Sequence, residues 1–320
     1  MSRFVVSRGI RFRPASRIQL SLCLRRGSNI CPSTRQPPSV LAVDSISPQR
    51  PQSPLISFSR NFQNIAAMDR ICEACKTIPP IVAEGYEKKG VDEDIGGVKC
   101  YVAAPQPTPK TGIIFVYDIF GYYPQTLQGA DILALTDPGH VVIMPDFFNG
   151  QPMDLNFFPP DTDEKKAKWK SFFEIDAAIP RTTETAYKVL AGVKEKFPEV
   201  TTWGMFGLCW GGKAATVIAK DPKNVIQAAG QAHPAMLDAA DYENYPLPQL
   251  TLFSKDEDPQ VAQKVSETLE ALGKGSVTKT YPNDIHGWMG ARANLKNPAE
   301  AKSYEQGYTD VVEFFKKTLS

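Results

Sequence analysis

Thr201-Thr202-Trp203-Gly204-Met205-Phe206-Gly207-Leu208-Cys209-Trp210-Gly211-Gly212 is the stretch that decides how this chain folds. Thr201 to Phe206 has the apolar character of a short buried strand. A glycine-lined turn follows, and a helix is expected from near Lys213. The spacing is G-x-C-x-G-G. A residue at the centre of such a strand-to-helix turn sits in strained backbone, and glycine on either side lets the helix pass close to the strand. The turn lifts the cysteine clear of the sheet and sets it at a helix N-terminus, where the dipole and backbone N–H groups favour negative charge. A buried structural cysteine beside a glycine-rich turn would give the same letters, so the surroundings must decide.

Working outward, Thr111 to Tyr117 (TGIIFVY) is a continuous β-branched run, the signature of a strand covered on both faces. A helix is expected over about Pro124 to Leu135, then a strand over His140 to Met144 closed by Pro145-Asp146-Phe147-Phe148. That is a β-α-β unit of a parallel sheet. Upstream, Val98 to Ala104 alternates in the manner of an edge strand. Residues 149–162 form a loop carrying Phe157 and Phe158, followed by helices over about Asp163 to Ile175 and Arg181 to Phe197. The second shows Ala186, Val189, Leu190 and Val193 on one face. Beyond the turn, strands are expected over Val225 to Ala232, Gln249 to Phe253 and Ser276 to Tyr281, and helices over Val261 to Leu272 and Pro298 to Leu319. No internal repeat appears.

The first 67 residues have a different composition. They hold ten arginines, no lysine and a single acid, Asp44, whereas residues 68–320 hold three arginines and 23 lysines against 34 acids. The segment is also rich in serine and proline, with Pro37-Pro38 and Pro51 to Pro54 interrupting any long helix. Arginine-rich, serine-rich and acid-poor describes a mitochondrial transit peptide. The alternative is that Met68 is the working start and residues 1–67 are an untranslated or disordered extension, which would leave the protein cytoplasmic. No apolar run approaches the roughly 18 residues of a membrane span, and Ile18 to Leu24 is too short for a signal peptide before Arg25-Arg26.

Residues 68–320 suit one α/β domain. The six cysteines show no even framework, so the chain reads as intracellular and without structural disulfides. Cys72-Glu73-Ala74-Cys75 is an isolated C-x-x-C with no second pair and no nearby histidine, a weak zinc or redox signal at the domain edge. An acidic domain with scattered lysines offers no basic stripe for nucleic acid.

The residues able to do chemistry fall where strands end, which in an open parallel sheet is the edge that binds ligands. Cys209 follows one strand, the cluster Asp256-Glu257-Asp258 the next but one, and His286 the last. Nucleophile, acid, histidine is the chain order of α/β-hydrolases. In such a site histidine withdraws the thiol proton, the carboxylate fixes the imidazole tautomer, and two backbone N–H groups hold the oxyanion. Here those donors would be Trp210 and Ile119. His140 opens a strand and reads as a turn residue. His233 ends a strand beside the cysteine, and either lines the pocket or is packed structurally.

Tyr117-Asp118-Ile119-Phe120-Gly121, Pro145-Asp146-Phe147-Phe148-Asn149-Gly150, Gly207-Leu208-Cys209-Trp210-Gly211-Gly212, His233-Pro234 and His286-Gly287-Trp288 together resemble the dienelactone hydrolase family, its fungal members most. The resemblance covers about residues 70–320. It implies an α/β-hydrolase fold, with a mostly parallel central sheet and helices on both faces. It implies no cofactor and no metal, and a Cys-acid-His triad that cleaves esters or lactones through an acyl-thioester. Where the family commonly has a glutamate that gates the cysteine, this chain has Asp118, one methylene shorter. The family's acid is an aspartate; counting from Pro248 lands on Glu257, with Asp256 the next candidate and two of the three acids expected to be solvated turn residues. Bacterial members hold a substrate carboxylate with arginines, one in the loop after Pro145-Asp146, where this chain has none. Arg292 remains for that task, and Tyr122, Phe157, Phe158 and Trp288 suggest a bulkier, less anionic substrate. The expectation is a hydrolase of small lactones or esters, monomer or homodimer. A non-catalytic or redox-sensing binding protein and a thioesterase are the alternatives.

Overall fold

The computed structural model describes residues 85–320. The expected N-terminal extension 1–67 and the Cys72–Cys75 pair lie outside the described residues. An eight-stranded sheet organises the domain. Its strands are β1 (Val91–Ile95), β2 (Val98–Ala103), β3 (Thr111–Val116), β4 (Val141–Pro145), β5 (Thr202–Leu208), β6 (Ile226–Ala232), β7 (Gln249–Phe253) and β8 (Val277–Thr280), in spatial order β1-β2-β4-β3-β5-β6-β7-β8. β1 pairs antiparallel with β2 and β2 antiparallel with β4; every other pairing is parallel.

β2 is not the edge its alternation suggested. β1 lies outside it, joined by a Gly96-Gly97 hairpin whose glycines have φ of 63° and 77°. Two residues of positive φ make the tight turn that matches strand twist. β1 reads VDEDI, mostly exposed and acidic, so no hydrophobic period announces it. It is held by its hydrogen bonds to a neighbour that is buried over most of its length.

The helices are α1 (Pro124–Leu135), α2 (Asp163–Glu174), α3 (Ile179–Lys196), α4 (Trp210–Ala219), α5 (Pro259–Ala271) and α6 (Pro298–Thr318). Local chemistry sets most of their starts. Thr162, Asp258 and Asn297 each accept a backbone N–H from the first turn of α2, α5 and α6, and proline stands in the first turn of α1, α3, α5 and α6. Alternation along β5 divides the layers. Phe206 meets Tyr308 of α6 on one face, while Gly207 lies against Gly211 of α4 on the other. α1 packs with α6 and α3 with α4. Interior strands β3 and β4 are buried almost throughout. Among the described residues no helix is long and apolar enough to cross a membrane.

Candidate active site

Five loops leave the carboxyl ends of β3, β5, β6, β7 and β8 along one sheet edge and carry the candidate residues. After β5, Cys209 has φ 55° and ψ −118° and stands immediately before α4, which begins at Trp210 rather than at the expected Lys213. A non-glycine residue at positive φ is strained by about 1–3 kcal/mol and persists only where the surroundings over-determine it. They do so here by close approach. A Cβ on Gly207 would run into the Gly211 carbonyl, and one on Gly211 into the carbonyls of Val116 and Tyr117. The helix therefore starts one residue after the cysteine and against the end of β3, which explains its early beginning. Trp210 is its first residue, so its N–H has no acceptor four residues back within the helix. Cys209 itself is only 2% exposed.

The acids after β7 divide their work. His286 Nδ1 lies 2.8 Å from Glu257 Oε1, with both side chains buried. A carboxylate accepts, so the proton belongs on Nδ1 and the lone pair on Nε2. Glu257 is fixed in turn by Ser254, whose hydroxyl donates to Oε1 at 3.0 Å and whose backbone N–H donates to Oε2. Asp256 accepts the backbone N–H of His286 at 2.7 Å, and Asp258 caps α5 through the N–H groups of Gln260 and Val261. Asp258 is exposed, as expected of a solvated turn residue, and Asp256 is half-buried; both also satisfy backbone donors. Ser254 went unnoticed in the sequence, although S-x-x-E over Ser254 to Glu257 is the spacing at which serine and glutamate bond reciprocally.

Asp118, after β3, is buried. One oxygen accepts Phe120 N–H at 2.9 Å and the other Ala291 N–H at 3.0 Å, so it links the β3 loop to the loop after His286. Burial, and then the nearby Cys209, push its carboxyl up to about 6. Electrostatic repulsion is mutual: an ionised Asp118 disfavours a thiolate at Cys209, and the reverse. Ile119 is buried beside it, its carbonyl accepting Met153 N–H at 2.9 Å from the loop that carries Phe157 and Phe158.

Two consequences can be measured on Asp118→Asn. Because the folded carboxyl titrates near 6 and an ordinary aspartate near 3.8, the folded state holds the extra proton between those values. Stability is therefore present below about pH 4 and lost as pH rises through 6, by about 3 kcal/mol. Urea unfolding midpoints of Asp118→Asn should lack this fall. The same variant should alkylate at Cys209 about tenfold faster at neutral pH, since a neutral amide no longer opposes the thiolate. An unchanged alkylation rate would show that the two groups do not communicate.

The remaining predicted residues are placed as follows. Arg292 is buried, with its guanidinium over the rings of Phe120 (5.1 Å) and Phe158 (5.9 Å). His233 is buried and its ring lies 5.1 Å from that of His286. Tyr122 donates to Met144 O at 2.7 Å and packs edge-on to Tyr117, which ties it to the end of β4. Trp288 is buried against Tyr281, its ring filling the space beside Gly307 of α6. His140 bonds Thr111 and packs on Phe315, and burial lowers its pKa to about 4, consistent with a structural role. Among the described residues no group of three or more His, Cys, Asp or Glu is placed to hold a metal ion.

This arrangement accompanies a sequence match: the model of the dienelactone hydrolase family fits residues 98–319. The chain belongs to the dienelactone hydrolase family. It is 34% identical over 241 residues to an uncharacterized AIM2 family protein of Schizosaccharomyces pombe, covering 74% of this chain and 94% of that one. It is 27% identical over 241 residues to a carboxymethylenebutenolidase homolog of Xenopus tropicalis, covering 73% and 93%. The crystal structure of a dienelactone hydrolase from Anabaena variabilis shares the fold, with a TM-score of 0.52 at 16% identity over 73% of this chain and 99% of that one. The fungal leaning of the motifs agrees with the fission-yeast relative. Within this dienelactone hydrolase fold the loop after β4 holds Asn149-Gly150-Gln151-Pro152, so Arg292 is the one arginine brought to the site loops among the described residues.

Proposed function

We propose that the protein hydrolyses esters or lactones through a thioester on Cys209. The observation that carries this reading is the buried His286–Glu257 pair, held on the same sheet edge as a cysteine in a strained strand-to-helix turn. His286 Nε2 takes the thiol proton, and the sulfur adds to the substrate carbonyl carbon. The oxyanion is received by the N–H groups of Trp210 and Ile119. Collapse breaks the carbon–oxygen bond, and His286 returns the proton to the departing alkoxide. For a lactone that alkoxide stays attached as the ring-opened chain. Water then adds to the thioester carbonyl, giving its proton to His286, and the sulfur leaves.

Glu257 holds the imidazole in the useful tautomer and stabilises the imidazolium, and Asp256 positions the backbone of the same residue. Their roles separate by mutation. Glu257→Gln should lower kcat/KM about 10⁴-fold, the scale of a misoriented tautomer. Asp256→Ala, which removes a positioning bond only, should cost about tenfold. Equal losses in both variants would argue against Glu257 as the orienting acid.

The direct test is rapid mixing with p-nitrophenyl acetate. The reading expects a nitrophenolate burst stoichiometric with protein, followed by slower turnover. Nitrophenolate release no faster than with Cys209→Ala, and no acetylated Cys209, would favour a non-catalytic binding role for the fold.

A further inference from the structure

The loop after β6 holds a polar group that the chemistry above leaves unused. His233 is fully buried, and neither ring nitrogen has a hydrogen-bond partner among the described residues. Its ring meets that of His286 edge to face. Its backbone has φ 39°, and its N–H donates to Leu252 O at 2.7 Å. Two residues on, Ala235 N–H donates to the Cys209 carbonyl at 3.1 Å, so this turn is fastened to the nucleophile's own backbone. Buried polar side chains are nearly always paired, and an apolar ring would fill the same volume with no unpaired nitrogen. The position is costly as pure packing, and it adjoins the reacting groups.

Burial, with His286 and Arg292 alongside, keeps the ring neutral. A neutral imidazole presents one N–H and one lone pair. A carbonyl or carboxylate oxygen only accepts and matches one of those nitrogens. A hydroxyl both donates and accepts, and matches either.

We propose that His233 is a specificity residue that hydrogen-bonds a hydroxyl group close to the scissile carbonyl, so that the preferred substrates are hydroxylated esters or lactones. This rests on the hydrolase reading of the same site and names the substrate feature that the site recognises. A buried group built to bond a hydroxyl rejects the analogue lacking it, because the protein partner is then left unpaired, whereas an apolar pocket barely distinguishes the two.

The test compares matched ester pairs: methyl lactate against methyl propionate for a hydroxyl on the acyl side, and 2-hydroxyethyl acetate against propyl acetate for one on the alcohol side. Within each pair the ratio of kcat/KM values is divided by the ratio of hydroxide-catalysed rates. Wild type should favour the hydroxylated member of at least one pair by about ten- to a hundredfold. His233→Leu should abolish that preference, and His233→Asn, which keeps a donor and an acceptor and tolerates left-handed backbone, should retain part of it. The same preference in wild type and His233→Leu would overturn the proposal. So would no preference in wild type, a result that needs no variant to fold. Wild type that turns over none of the four esters and gives no burst with p-nitrophenyl acetate would overturn the hydrolase reading and this one with it. A burst without hydroxyl preference overturns this one alone.

Discussion

Cys209→Ala should give no burst with p-nitrophenyl acetate and a kcat lowered about 10⁴-fold or more, the scale seen when a nucleophile that works as a unit with its base is removed. The reasoning is geometric. Cys209 occupies the one strained position between β5 and α4, and its neighbour Trp210 begins the helix whose backbone N–H groups would meet the oxyanion. Alanine keeps the turn and the N–H donors and removes only the sulfur, so the remaining rate measures what oxyanion binding does alone. His286→Ala should be nearly as damaging on its own, and the double variant should be hardly worse than either, because in the proposed reaction base and nucleophile share one step. Burst and turnover in Cys209→Ala equal to those of wild type would sink the acyl-enzyme route.

Gly211→Ala should be among the most destabilising small substitutions in the described residues. A Cβ there meets the carbonyl oxygens of Val116 and Tyr117, both main-chain atoms of the β3 end, and neither can turn aside as a side chain would. Relief requires moving α4 off the sheet or breaking the elbow. The expected loss is about 4 kcal/mol or more, at the extreme of what single substitutions do. Gly212→Ala is the control. Its Cβ would lie 3.0 Å from the Gln231 Cβ, a contact that small adjustments relieve, so the loss should be much milder. Thermal or urea unfolding of the two variants decides the matter. A Gly211→Ala protein as stable as Gly212→Ala would mean that the helix and β3 are not as closely apposed as described.

Most of the fold was legible because its strongest signals are one-dimensional. β3 and β4 are continuous apolar runs, and a strand buried on both faces has to look that way. β7 falls on the expected Gln249–Phe253, bounded by Pro248 and a polar cluster. β1 was not legible, because an exposed acidic edge strand is specified by its neighbour's hydrogen bonds and by two turn glycines rather than by its own hydrophobicity. The start of α4 was misplaced for a related reason. Glycines at 211 and 212 argue against helix by propensity, and the tertiary approach to β3 overrides it.

In the site, the order of Cys209, the acids and His286 could be read along the chain, but the division of labour among Asp256, Glu257 and Asp258 could not. It depends on which donor each meets: a ring nitrogen and its backbone from the loop after β8, or the first turn of α5. Adjacent acids carry no trace of that in their sequence. Arg292 could be singled out from the sequence but its setting could not, because Phe120 and Phe158, which lie against its guanidinium, come from two other loops.

The near-complete enclosure of Cys209 bears on how durable the protein is. A reagent that attacks sulfur must wait for the surrounding loops to part, so the observed rate is the intrinsic rate scaled by the open fraction. Peroxide and air are subject to the same wait. If Cys209 acts as proposed, the protein should keep its activity on storage far longer than one with an exposed thiol. Mutations that loosen the loops around Cys209 should shorten that storage life.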